Sequence, residues 1–330
     1  MPISDLSTRL EDALDRFAWE EWGQMGVFAT TGPRRHWAQD PEALLLLTFE
    51  VARVDARLFD EVLDWLLTNE QLVNLRRLRS LAVDPEDQAL TEAVIAWLGR
   101  QRPKARFAQP TPINPPPAAR PLFFQDGFPV AHPDPAFVEH GWLRPAFTGT
   151  RKSMPPTIDA PINLSFRLRL LFGLTARAEL ARLLFTMEDP GLTSATLARA
   201  AGFTKRNVHE ALSAFELAGV VSSFGAGYEL RYRTDHERWA EFLGVRESIE
   251  HVDWIPILLS LRRTLRWSRE ASRAEPSDYL LSSSARDLLE RIRPDLQAAA
   301  VDVPAGRSAA TALDDLSAVT KQIFDLLDTA

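Results

Sequence analysis

Residues 192–233 read LTSATLARAAGFTKRNVHEALSAFELAGVVSSFGAGYELRYR, and this stretch decides the fold at the centre of the chain. Thr193 offers the side-chain oxygen that caps a helix start, Leu197, Ala198 and Ala201 follow at helical spacing, and Gly202 supplies the left-handed residue that ends the helix. Thr204 caps a second helix on which Val208, Ala211, Leu212 and Phe215 recur on one face. The opposite face then carries Lys205, Arg206, His209, Glu210 and Ser213. After Gly219 the period becomes that of a strand. Val220, Val221 and Phe224 lead into Gly225-Ala226-Gly227, and beyond it Tyr228, Leu230 and Tyr232 alternate with Glu229, Arg231 and Arg233. An amphipathic helix capped by Thr175 and bearing Leu180, Leu183, Leu184 and Met187 comes before the stretch. Three helices followed by a glycine-tipped hairpin predict a helix-turn-helix with a small β-wing, and with it nucleic-acid binding.

The stretch resembles the winged helix-turn-helix of bacterial regulators of the MarR and ArsR type, over residues 166–234, about a fifth of the chain. That resemblance implies that Thr204, Lys205, Arg206, Asn207, His209 and Ser213 face the major groove of double-stranded DNA. It also implies that Arg231 and Arg233 on the wing touch the backbone or the minor groove. The chain has no cysteine, so it departs from ArsR-type proteins that sense metals through thiolates. Its organisation, with a helical N-terminus, a Pro-rich link and a Leu/Arg-rich lead-in, is similar to uncharacterised actinobacterial winged-helix proteins, some of which partner nucleotidyltransferase-type toxins. By that likeness an autoregulating antitoxin with a toxin as protein partner is expected.

Composition sets bounds on this reading. A chain of 330 residues with 45% hydrophobic and 25% charged residues is an ordinary globular one, long enough for two or three cores. The absence of cysteine fits a reducing cytoplasm. No apolar signal segment opens the chain, and the run Ala43–Leu47 is far short of the roughly 20 residues that span a bilayer, so no membrane association is expected. The net charge of −7 is uneven. Residues 1–100 hold 10 basic and 18 acidic side chains, 101–166 hold 7 and 4, 167–235 hold 9 and 7, and 236–330 hold 12 and 16. The centre is therefore weakly positive, as a DNA site requires, but so weakly that useful affinity calls for a homodimer.

Four regions follow along the chain. Residues 1–100 form a helical domain, with Asp40-Pro41-Glu42 as a cap, a proline at the first helical position and an acidic first turn. Further apolar stripes there fall at Leu58–Leu66 and Leu72–Leu81, and a last helix at Glu92–Leu98. Residues 101–165 are rich in proline and read as an extended linker, either flexible or laid over a domain surface by Phe107, Phe123, Phe128, Phe137, Trp142 and Phe147. Residues 166–235 hold the winged helix, and 236–330 a helical C-terminal region. In the last region Arg262, Arg266, Arg269 and Arg273 share one helix face, which is either solvated or contacts phosphate. A helix Ala285–Arg293 is expected to end at Pro294, and Leu313, Leu316, Thr320, Ile323 and Leu327 form a seam that serves core packing or dimerisation.

Enzymatic motifs are missing. There is no GxxxxGK[ST] loop, no HExxH and no GxSxG elbow, and the six histidines are scattered. No catalytic residue, metal or cofactor is expected. Abundant carboxylates read as solvated helix faces, and Arg34-Arg35-His36 as a surface turn, with anion binding as the alternative. The reading is a mainly α, multi-domain protein with a central winged helix that regulates transcription. The alternative is a protein-interaction adaptor or inhibitor that uses the same fold without DNA.

Overall fold

Local capping places the helices. Asp40 accepts a hydrogen bond from the Ala43 N–H at 3.1 Å, so α2 (Pro41–Val51) starts where Asp-Pro-Glu predicts. Before it lies α1 (Ile3–Gln24); after it come α3 (Ala56–Asn69), α4 (Leu75–Leu81) and α5 (Pro85–Gln101). The computed structural model describes residues 3–29, 32–102, 118–124, 130–187, 191–226, 229–304 and 311–329. Within them the chain continues through β1 (Arg120–Pro121), α6 (Pro135–Val138), β2 (Trp142–Leu143), α7 (Leu164–Phe172) and α8 (Ala176–Thr186). There follow β3 (Leu192–Thr193), α9 (Ser194–Ala201), α10 (Lys205–Leu217), β4 (Val221–Ala226), β5 (Glu229–Thr234) and α11 (His236–Leu243). Last come α12 (Trp254–Ala274), α13 (Asp278–Ala298) and α14 (Ala312–Thr329). The protein is mainly helical with small sheets, and no described helix is long and apolar enough to cross a membrane.

Helix α2 explains why the two ends of the chain come together. All eleven of its residues are buried, and a helix buried on every side needs neighbours all round. One neighbour is α12, which packs against α1, α2 and α13. Regions 1–100 and 236–330, expected to be separate, thus share one hydrophobic cluster from Leu6 to Leu327. The seam on α14 belongs to it: Leu316, Ile323 and Leu327 are buried by the chain itself, so the dimerisation alternative for that seam is withdrawn. Helix α13 is also longer than expected. Ser277 caps it, and it runs through Pro294 to Ala298, because buried Leu289, Ile292 and Leu296 hold both sides of the proline in the cluster.

Three arginines of the α12 stripe are neither solvated nor free for phosphate. Arg262 lies between Asp84, at 2.8 Å, and Asp87. Arg266 reaches Asp87 at 2.9 Å and Glu50 at 2.8 Å, and Arg269 binds Glu11 and, at 3.0 Å, Glu50. Only Arg273 points outward, stacked 3.8 Å over the Phe124 ring. The described parts of 101–165 lie on this body. Leu122, Phe137 and Trp142 are buried, and Arg144 sits over the Phe137 ring and donates to Asp60 at 2.6 Å. Asp64 accepts the backbone N–H groups of Lys152 and Ser153 at 2.9 and 3.1 Å. Phe107 and Phe128 of that stretch, and the expected hairpin-tip residues Gly227 and Tyr228, lie outside the described residues.

Candidate nucleic-acid interface

The segment from α8 to β5 forms a second, smaller core. Thr175, Thr193 and Thr204 cap α8, α9 and α10 through their side-chain oxygens, as the sequence predicts. Gly202 ends α9 at φ +66°, and a Cβ there would come 3.1 Å from the Ile255 side chain and 3.2 Å from that of Leu81. The turn between α9 and α10 thus demands glycine twice over, for conformation and for its close approach to the body. Strand β5 lies in the middle of a three-stranded antiparallel sheet, order β3-β5-β4, with Leu192 opposite Tyr232 and Ser222 opposite Arg233. Leu180, Leu183, Leu197, Val208, Leu212, Phe215 and Tyr232 fill the core beneath. Phe215 makes T-shaped contacts with Phe172 and Trp239, with centroids 5.9 and 6.3 Å apart.

A buried ion network fixes this unit to the body. Arg77 of α4 donates to Asp40 and Glu42, at 2.6 Å to the latter, and its Nε donates to the Ala201 carbonyl at the end of α9 at 2.8 Å. Arg169 of α7 bridges Glu42 at 2.6 Å and Glu179 of α8 at 2.6 Å, and Arg182 donates to Glu179 at 3.3 Å. Burial alone would raise the Asp40 and Glu179 carboxyls. The neighbouring guanidiniums, Arg77 for Asp40 and Arg169 for Glu179, more than offset it and hold both below the usual carboxylate range. His251 lies at the same junction, its Nδ1 3.3 Å from the Thr186 hydroxyl. Burial, then the charges of Arg182 and Arg199, push it down to about 3, so its imidazole is neutral.

The expected contact residues divide into three groups. Lys205, Arg206, Asn207 and His209 are exposed on the first turns of α10, and Lys205 makes no ion pair among the described residues. Arg206 forms an exposed pair with Glu210 at 3.0 Å. Thr204 and Asn207 bond each other, Oγ1 to Oδ1 at 2.7 Å, while Ser213 is half-buried further along. On the hairpin, Arg233 is exposed beside the Phe224 ring. Arg231 instead turns back, donating to the Gly191 carbonyl at 3.3 Å with its Nε buried. The structure thus brings the α10 residues and Arg233 to the surface and commits much of Arg231 to holding β5.

Two further expectations change. The Arg34-Arg35-His36 turn is not open to an anion: Arg35 is buried against Glu20 and Glu21 and donates to the Leu327 carbonyl, and Arg34 pairs with Glu247 at 3.0 Å. Nor are all carboxylates solvated. Glu21, Asp40, Glu42, Glu50, Asp64 and Glu179 are buried, and Glu21 accepts bonds from Arg35, Trp37 and Gln39. These partners are distant in sequence, so no local pattern signals them. No group of three or more His, Cys, Asp or Glu side chains placed to hold a metal occurs among the described residues. No known protein family, curated protein or solved structure matches the chain.

Proposed function

We propose that residues 175–234 are a winged helix-turn-helix and that the protein regulates transcription by binding double-stranded DNA through α10 and the β4–β5 hairpin. The observation that carries this reading is the contrast on α10. Its inward face, Val208, Leu212 and Phe215, is buried, while Lys205, Arg206, Asn207 and His209 form an exposed polar face at the helix N-terminus. There the helix dipole and the two cations act together on phosphate, and the side chains are long enough to reach base edges. The order helix, strand, helix, helix, hairpin and the sheet order β3-β5-β4 support the winged-helix assignment. Arg206 must leave Glu210 to contact DNA, which costs at most about 1 kcal/mol for an exposed pair. The test is a gel shift on the DNA upstream of the protein's own gene. Lys205→Ala with Arg206→Ala removes interactions worth about 1 to 3 kcal/mol each where they read bases, and should abolish a specific band. A double variant that binds like the parent overturns the reading.

A further inference from the structure

The helical body holds a cavity of about 680 Å³ between the first turns of α5 and the β1–β2 pair, remote in sequence from α10 and the hairpin. Small apolar residues make the room: Ala82, Pro85, Ala89, Ala118 and Gly141. Three polar side chains that also line it are buried, Thr91, Trp142 and His140 being 0, 2 and 4% exposed. Each has a polar atom without a hydrogen-bond partner among the described residues, namely the Thr91 hydroxyl, the Trp142 indole nitrogen and His140 Nε2. Elsewhere in the chain buried helical threonines donate to the carbonyl four residues back, as Thr48, Thr186, Thr264 and Thr320 do at 2.8–3.0 Å. Thr91 does not. Buried polar atoms without partners are scarce and costly, so three of them around one cavity mark a place suited to a ligand that supplies the missing bonds.

We propose that this cavity binds an uncharged lactam with an aliphatic body. His140 Nδ1 lies 2.9 Å from the Ala136 carbonyl oxygen, which can only accept, so Nδ1 carries the proton and Nε2 of the neutral ring is an acceptor. The indole N–H of Trp142 can only donate, and the Thr91 hydroxyl can do either. His140 and Trp142 stand two residues apart, so their ligand must offer a donor and an acceptor side by side. The cis amide of a lactam does this, with its N–H for His140 and its carbonyl for Trp142, whereas a trans amide turns the two groups opposite ways. Charge on the ligand is disfavoured because the charges around the cavity are already paired. Arg79 holds Glu92 through two bonds at 2.7 and 2.8 Å, and Arg120 holds Glu86. The guanidiniums of Arg53 and Arg120 stand over the Trp142 ring, so the indole offers its N–H edge and not a stacking surface. The remaining walls are alkyl, which suits an aliphatic body. The proposal does not rest on the DNA-binding reading.

Titration calorimetry on the full chain with cyclo(leucyl-prolyl), an uncharged cis-lactam with an aliphatic body, tests it. Linear leucyl-proline, which carries an ammonium and a carboxylate, is the control. The cyclic compound is expected to bind saturably and the linear one not to bind. Trp142→Phe keeps the ring and loses the N–H, so it should weaken binding about tenfold, the worth of one hydrogen bond. Ala89→Leu fills the cavity from a half-buried helix position and should abolish binding with the circular dichroism of a folded chain unchanged. Thr91→Val should raise the melting temperature of the free chain, since it removes a buried hydroxyl that has no partner. Lys205→Ala with Arg206→Ala should bind the lactam like the parent, which keeps this test apart from that of DNA binding. A parent that does not bind the cyclic compound at millimolar concentration, equal binding of the linear one, or Ala89→Leu and Trp142→Phe variants that bind like the parent overturns the proposal.

Discussion

The helical body turns several of its arginines inward, and the α8–β5 unit turns several of its cations outward. In the body, Arg77, Arg262 and Arg269 are buried and each meets two or more carboxylates. In the smaller unit, Lys205, Arg206 and Arg233 face solvent, and among the described residues the only carboxylate paired with any of them is the exposed Glu210. The same residue type therefore performs two tasks, and its environment decides which. A guanidinium is weakly hydrated and has a rigid fork of donors, which makes it the cation best able to satisfy buried carboxylates at several points. Local net charge is a poor guide to a binding site here. Residues 167–235 contain 9 basic side chains, but Arg169 and Arg182 among them are locked in the junction with the body.

Breaking the inward arrangement should cost most. Arg77→Ala leaves Asp40 and Glu42 buried with one guanidinium fewer and frees the Ala201 carbonyl, so it should destabilise the protein by up to about 5 kcal/mol in chemical denaturation. Phe215→Ala tests the smaller core. It should cost about 3 kcal/mol, the low end for a buried phenylalanine, because Phe215 borders a surface groove into which water and neighbouring rings can move. Thr204→Ala removes only the α10 cap and should cost about 1 kcal/mol by the same measurement, with the larger effect expected on DNA affinity.

Two groups shifted by burial should also give slopes of stability with pH. His251 is held down to about 3, so between there and its ordinary value near 6.5 the unfolded chain binds the extra proton. Stability from this group is present above 6.5 and is lost as the pH falls through that window. Asp15 behaves oppositely. Burial first, then Asp55, Asp12 and Glu11, raises it from 3.8 to about 6, so its contribution is present below 3.8 and lost as the pH rises through 6. His251→Asn should therefore flatten a rise of stability with pH, and Asp15→Asn should remove a fall. Equal pH profiles for the parent and both variants would contradict the burial assigned to these groups.

What the sequence made legible was local. Caps act within three residues, so Asp40, Thr175, Thr193 and Thr204 could all be placed at helix starts. The phase of α10 follows from Val208, Leu212 and Phe215 alone, and Lys205 and Arg206 emerge on the exposed side as expected. The partners of the α12 arginines could not be read, because Glu50 and Asp87 stand 216 and 179 residues from Arg266 in the chain. The turn of Arg231 was hidden for a related reason. Strand alternation gives the face of a side chain but not its bend toward Gly191 on the segment before β3.

The central claim, that exposed cations of α10 and not those of the body carry DNA affinity, is tested most directly by salt dependence. Fluorescence anisotropy with a duplex from upstream of the gene gives log K against log salt for the parent, Lys205→Ala and Arg291→Ala, the last removing an exposed arginine on α13. Each phosphate that a variant leaves unneutralised lowers the slope by about 1. The account predicts that decrease for Lys205→Ala and an unchanged slope for Arg291→Ala. A slope that Lys205→Ala leaves unaltered, or that both variants lower equally, would contradict it.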